Sequence, residues 1–259
     1  MKICVLMKQV PDKNSSLTIS ENNRGLEEDN ITWVSNESDN YALEEALLIK
    51  ETHGGEVIAC TLGGESAGQI LKDAMAKGAD RSIFLSDSKF DSLDILSLAK
   101  VFASALKDES FDLILSGLQS DDQGNSQLGL LLAELLGMSH ASLVMGTEVI
   151  DDNTIKVKRE LEGGWFQWTT LSLPASISIQ SGINTPRYAT LKGIMMVKNK
   201  TTDQLSSQDT GAINKDPMVS QEKLYVPGKS KETVFIDGSP DEIAEKLIDV
   251  FKNEIKVLR

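Results

Sequence analysis

Cysteine is nearly absent from this chain, with only Cys4 and Cys60 among 259 residues. Each lies inside an apolar run, Lys2 to Val10 and Glu56 to Leu62. Such placement points to buried thiols in a reducing compartment, because a free cysteine packs like a small hydrophobe. Two isolated cysteines and the distant His53 and His140 build no metal site. The phosphate-cradling patterns GxGxxG and GxxxxGKS/T are missing, which disfavours a hydrolytic NTP site. There is no GxSxG elbow for a serine nucleophile. No apolar run approaches the length of a membrane span. At the N-terminus five apolar residues sit between Lys2 and Lys8, too short for a signal peptide and suited to a first strand. Positive charge is in deficit, with a formal net charge of -13. That excludes a nonspecific grip on nucleic acid or anionic lipid; a basic protein partner fits better, and simple solubility explains the charge equally well.

What is present reads as alternating strands and helices. Lys2 to Val10 is a buried-type strand ended by Pro11, and Ile31 to Val34 is a short edge strand. Asn36, Ser38 and Asp39 offer N-caps for a helix through Ala42, Leu43, Ala46, Leu47 and Lys50, stopped by Gly54-Gly55. Strands at Glu56 to Leu62, Arg81 to Leu85 and Phe111 to Leu115 follow. Between them lie helices from Ala67 to Lys77 and from Leu93 to Leu106, and after them one capped by Asn125 or Ser126. Crossover helices of this length imply an α/β fold of three layers, a parallel sheet with helices on both faces. The apolar period then falls to two. Ser142 to Ile150, Thr154 to Glu160, Trp165 to Leu171 and Ala175 to Gln180 read as an antiparallel extension. Leu191 to Val197 is a short helical patch. The expected domains are 1–198, the α/β domain, and 199–259, a polar C-terminal arm. The arm holds a small strand at Thr233 to Ile236 and a last helix capped by Ser239.

An open parallel sheet presents its ligand crevice at the carboxyl ends of its strands. Leu6, Met7 and Lys8 would line it from the first strand, and Leu62, Gly63 and Gly64 from the second. The turn from Gln119 through Asp122, Gly124, Asn125, Ser126 and Gln127 would close over it, with backbone N–H groups at a helix start able to hold phosphate. No nucleophile stands beside a base. The pattern favours holding a nucleotide over reacting with it.

Several stretches resemble the beta subunit of electron transfer flavoproteins. They are Val5 to Asp12, Tyr41 to Leu47, Ala76 to Arg81, Gly117 to Ser120 with Asp122 and Gln127, Glu160 to Gly164, and Pro186 to Met195. The resemblance implies a Rossmann-like, adenine nucleotide alpha hydrolase-like topology and an electron carrier subunit, not an enzyme. It implies a cytoplasmic heterodimer with an alpha subunit that holds most of an FAD, and a structural AMP in the beta subunit. The AMP candidates are then Leu6, Met7, Lys8, Leu62, Gly63, Gln119, Asp122, Gly124, Asn125, Ser126 and Gln127. The partner-recognition loop corresponds to Tyr188, Leu191, Ile194, Met195 and Met196, with Leu191 as anchor for an acyl-CoA or other flavin-containing dehydrogenase. A membrane quinone oxidoreductase is the implied acceptor, with no membrane insertion of the chain itself. Bifurcating members carry a second FAD in place of AMP. Their turn differs from Asp122 to Gln127, where Gln123 interrupts the pattern, so the non-bifurcating type is expected. A stand-alone adenine-nucleotide sensor is the other alternative.

Overall fold

The computed structural model describes residues 1–90, 93–211, 217–228 and 233–257. Residues 212–216, 229–232 and 258–259 of the expected arm lie outside the described residues. In chain order the strands and helices of the first half are β1 (Lys2–Leu6), β2 (Gln9–Pro11), β3 (Trp33–Ser35), α1 (Glu37–His53), β4 (Glu56–Leu62), α2 (Gly68–Lys77), β5 (Arg81–Leu85), α3 (Ile95–Leu106), β6 (Leu113–Gly117) and α4 (Leu128–Leu136). The second half holds β7 (Ser139–Asp151), β8 (Thr154–Glu160), β9 (Phe166–Ser172), β10 (Ala175–Ile179), α5 (Leu191–Met196), β11 (Thr202–Leu205), α6 (Ser207–Thr210) and α7 (Pro240–Asp249).

Nine of these strands form one mixed sheet in the order β11-β5-β4-β1-β6-β10-β7-β8-β9. From β11 to β7 every neighbouring pair is parallel, and β7-β8-β9 is antiparallel. Alternate residues of β1 face opposite cores. Ile3 and Val5 join Leu43, Leu47, Leu71 and Met75 of α1 and α2, while Cys4 and Leu6 join Val101, Phe102 and Leu132 of α3 and α4. Burial on both faces removes each central strand side chain from water, worth roughly 1.5–3 kcal/mol for a Leu or Ile.

Four expectations need correction. The first strand ends at Leu6: the Met7 N–H still bonds the Cys60 carbonyl of β4, but the Lys8 N–H turns away to the Asp39 carboxylate. Val10 pairs instead with Val34 in the separate β2–β3 hairpin. Ala175 to Gln180 is not antiparallel: β10 inserts between β6 and β7 and runs parallel to both. Its alternation has a packing cause, since Ser176 and Ser178 turn to α4 and Ile177 and Ile179 to the opposite core. The Ser176 hydroxyl donates to the Gly129 carbonyl at 2.9 Å, so small side chains let the helix sit close. No side chain caps α4, where the sequence points to Asn125 or Ser126; Gln127 holds the cap position. Finally, Thr233 to Ile236 forms no strand. Its backbone has no ladder among the described residues, and extended chain is a strand only when paired.

The polar stretch after residue 198 is partly sheet. Thr202 to Leu205 pair in parallel with Ser82 to Leu85, and Arg81 reaches Asp203 at 3.1 Å. The chain divides into a compact unit from Met1 to Lys223 and a second from Leu224 onward. Within the second unit, the Ser239 hydroxyl and the Glu242 carboxylate cap the start of α7 reciprocally, behind Pro240.

Candidate functional site

The carboxyl ends of β1, β4 and β6 open into one cavity of about 550 Å³. That lies within the roughly 300–1,000 Å³ of small-molecule sites. Leu6, Met7 and Lys8 line it, with Leu62 and Gly63, and with Gln119, Asp122, Asn125, Ser126 and Gln127 from the β6–α4 turn. Of the residues named from sequence, Gly124 alone stays off the cavity wall; it turns the backbone with φ 60°.

The turn owes its position to the start of α1. Asn36 donates from Nδ2 to the Gln119 carbonyl at 2.9 Å and accepts the Asp121 N–H at 2.9 Å. The Ser38 hydroxyl donates to the same Gln119 carbonyl at 2.8 Å. Asp39 accepts the Lys8 N–H at 2.7 Å and the Gly117 N–H at 3.0 Å, so one carboxylate ties the ends of β1 and β6 together. Asp39 is buried. Burial lifts its carboxyl to about 7, against the pull of the bonds from Lys8, Asn36 and Gly117. The sequence alone points to Asn36, Ser38 and Asp39 as helix caps. Asn36 occupies the cap position, yet no side chain makes a cap bond there. Three polar residues crowded at one helix start were the available signal.

Lys8 spans the cavity mouth. Its Nζ donates to Asp122 at 2.7 Å, to Gln123 Oε1 at 3.3 Å and to Ser120 Oγ at 3.4 Å. Burial acts to raise the Asp122 carboxyl, but the bonds from Lys8 and Ser120 outweigh it and hold the group below its ordinary range. Among the described residues the charged lining is one cation, Lys8, against Glu28, Asp39 and Asp122. Gln119 Oε1 accepts from the Ser126 hydroxyl at 3.1 Å, and Ser126 holds a left-handed φ of 55°. The opposite wall is apolar. Phe90, Leu93, Ile95, Leu98 and Phe102 form it, with Trp33 nearby in the lining. Sequence reasoning missed this wall, because these residues look like ordinary core.

A second feature lies along α1 and α2. Arg187 grips Glu44 through two parallel bonds, Nε at 2.8 Å and Nη2 at 2.9 Å, and reaches Glu51 at 2.5 Å. Those two carboxylates hold its guanidinium above its ordinary pKa. Glu45 takes the Asn184 amide at 3.0 Å and the Thr147 hydroxyl. Adjacent carboxylates on α1 thus seat the chain that leads into α5. There the Thr190 hydroxyl caps the helix by accepting the Gly193 N–H. A Cβ on Gly193 would stand 2.1 Å from the Ala76 carbonyl oxygen, so α5 rests directly on the backbone of α2. This seating leaves Tyr188 92% and Leu191 76% exposed, with Ile194, Met195 and Met196 exposed beside them.

Among the described residues, no group of three or more His, Cys, Asp and Glu side chains could hold a metal. Also among the described residues, no helix is long and apolar enough to cross a membrane. Cys4 and Cys60 are buried free thiols, and burial raises Cys4 well above the usual thiol range. His53 is exposed at the end of α1, and His140 Nε2 lies 3.3 Å from Glu134.

The electron transfer flavoprotein domain family matches residues 25–210. The beta subunit of electron transfer flavoprotein from Methylophilus methylotrophus is 33% identical over 264 residues, covering 99% of both chains. That of Bacillus subtilis is 33% identical over 261 residues, and the mitochondrial beta subunit of Arabidopsis thaliana 33% over 262, each covering 100% of both chains. Over nearly its whole length the chain belongs to the electron transfer flavoprotein beta-subunit family.

Proposed function

We propose that this beta subunit holds one AMP in the β1–β4–β6 cavity, flanks the FAD of an alpha subunit, and docks a flavin-containing dehydrogenase through α5. The cavity's donor set carries the reading. The apolar wall of Phe90, Leu93 and Phe102 suits a base. The Gln119, Asn125 and Ser126 side chains suit ribose hydroxyls. The start of α4 has no side-chain cap, and the first N–H groups of such a helix are free to meet a phosphate. Among the described residues of the lining, one cation against three carboxylates disfavours the extra phosphate charge of a diphosphate, hence AMP over a second FAD and the non-bifurcating type. The flavin supplies the redox chemistry when bound; this chain shields, positions and docks. The fold label that goes with this reading is Rossmann-like, adenine nucleotide alpha hydrolase-like. Two unpaired buried thiols suit a cytoplasmic setting. The membrane quinone oxidoreductase is the assigned acceptor. Within 199–259, the alpha subunit is assigned the exposed apolar residues of the second unit, among them Val234, Phe235 and Ile248.

Acid extraction of the purified heterodimer, followed by chromatography of the released nucleotides, tests the cofactor assignment. One FAD and one AMP per complex are expected; two FAD, or no adenine nucleotide beyond a single FAD, overturns it. For docking, Leu191→Ala is expected to slow electron uptake from the dehydrogenase about tenfold or more, as loss of a buried anchor does, at unchanged flavin content. Unaltered uptake kinetics would remove Leu191 from the interface.

A further inference from the structure

We propose that Asp39 is the positioning residue of the cavity: its ionised carboxylate fixes the spacing of the β1 and β6 ends, and protonating it loosens the bound nucleotide. The proposal rests on the nucleotide reading above and adds a control on it. The two oxygens have separate tasks. Oδ2 accepts the Lys8 N–H and Oδ1 the Gly117 N–H, so the carboxylate needs both as acceptors. A protonated carboxyl turns one oxygen into a donor and gives up one tether. Lys8 and Gly117 both line the cavity, and the Gln119 to Asp122 turn begins two residues beyond Gly117, so slack there reaches the ligand directly. Gly117 permits no substitute for this arrangement, because a Cβ would stand 2.3 Å from Asp39 Oδ1.

Few charges compete for control of Asp39. Lys8 is the cation that acts on it, from just beyond the end of β1, with its ammonium already paired to Asp122. β6 and β10 carry no titratable side chain, and β4 carries Cys60 and, at its far end, Glu56. On α1 itself Glu37 lies at the start, its N–H donating to Asp121, and from the loop Glu28 lines the same cavity. Burial brings the Asp39 carboxyl to about 7, so ordinary variation of pH changes its charge. The folded value lies above the ordinary 3.8. Its contribution to stability is therefore full below that ordinary value and is lost as pH rises through about 7. The ionised form that organises the cavity is the less stable one, and a bound nucleotide offsets that cost.

Two measurements on the full chain test this. The first needs no ligand: the amide proton resonances of Lys8 and Gly117 should move together with pH in the wild type, with one midpoint near 7, and stay still in Asp39→Asn. Independent or absent movement overturns the positioning role. The second is equilibrium dialysis with labelled AMP from pH 5.5 to 8.5. Wild-type affinity should fall about tenfold per pH unit below the midpoint. Asp39→Asn should bind weakly with a flatter profile. The second ionisation of the phosphate, at about pH 6, is common to both proteins, so the difference in slopes belongs to Asp39. Equal slopes, or a wild-type affinity that rises with acid, overturns the coupling. Coupled amide titration without AMP binding at any pH upholds Asp39 as the tether of the strand ends and overturns the AMP reading and its pH coupling.

Discussion

Gly117→Ala is expected to cost the chain roughly 3 kcal/mol or more, a fall in Tm on the order of 10 °C, and to empty the cavity of AMP. The added Cβ would stand 2.2 Å from Ser38 Oγ, 2.3 Å from Asp39 Oδ1 and 2.8 Å from the Asp39 backbone nitrogen. Side-chain ends can swing aside, but a backbone nitrogen moves only with its helix. The start of α1 must withdraw from β6, and the Asp39 and Ser38 bonds stretch with it. Overpacking of this kind typically costs 1–3 kcal/mol, and each buried N–H left unpaired adds about 1–3. Gly64 provides the contrast. It lines the same cavity with an ordinary φ of -66° and has open space where its Cβ would go. Gly64→Ala should leave Tm unchanged or slightly raised. Thermal denaturation of the two variants decides the matter: similar melting points would mean that the contact between α1 and β6 is not tight in solution.

Arg187→Ala is the second large effect. Glu44 is buried, and it accepts both guanidinium bonds of Arg187. Removing the partner of a fully buried pair costs about 3–5 kcal/mol. The Arg187 side chain is 31% exposed, so water reaches the pair and a loss of roughly 2–4 kcal/mol is expected. Electron uptake from the dehydrogenase should fall as well, because the chain leading to α5 loses its seat while Leu191 itself is intact. Adding Glu44→Gln to Arg187→Ala removes the stranded charge, so the double variant should melt higher than the single one. A double variant that melts lower would show that the pair is not held together by charge. Arg187→Lys keeps the charge but not the paired geometry, and should fall between wild type and Arg187→Ala.

Much of the fold was legible because its signals were local. Glu56–Leu62, Arg81–Leu85 and Thr154–Glu160 are apolar or alternating runs between glycines, acidic turns or charged ends, and each is a strand with those limits. Ser239, Pro240 and Glu242 announce α7 by themselves. What stayed hidden depended on a distant partner. Ala175 to Ile179 alternates whether its neighbours run parallel or antiparallel, and only β6 and β7 decide. Thr233 to Ile236 has strand chemistry without a ladder among the described residues. At the cavity, the strand ends and the polar turn were readable from order alone. The clamp of Asn36, Ser38 and Asp39 was not, because a helix cap and a tether to a remote turn use the same residues. Nor was the Lys8–Asp122 pair, which joins positions far apart in the chain.

The insertion of β10 between β6 and β7 has a consequence for synthesis on the ribosome. While the first 174 residues emerge, β6 has β1 on one side and an open edge on the other, since its second neighbour is Ala175–Ile179. Leu113, Ile114 and Leu115, all buried in the finished protein, line that edge. A nascent chain stalled or cleaved anywhere in the hairpins of β7 to β9 therefore presents an apolar strand ready to pair with another chain. Fragments ending before Ala175 should be taken up by chaperones and proteases, and those extending past Ile179 much less so.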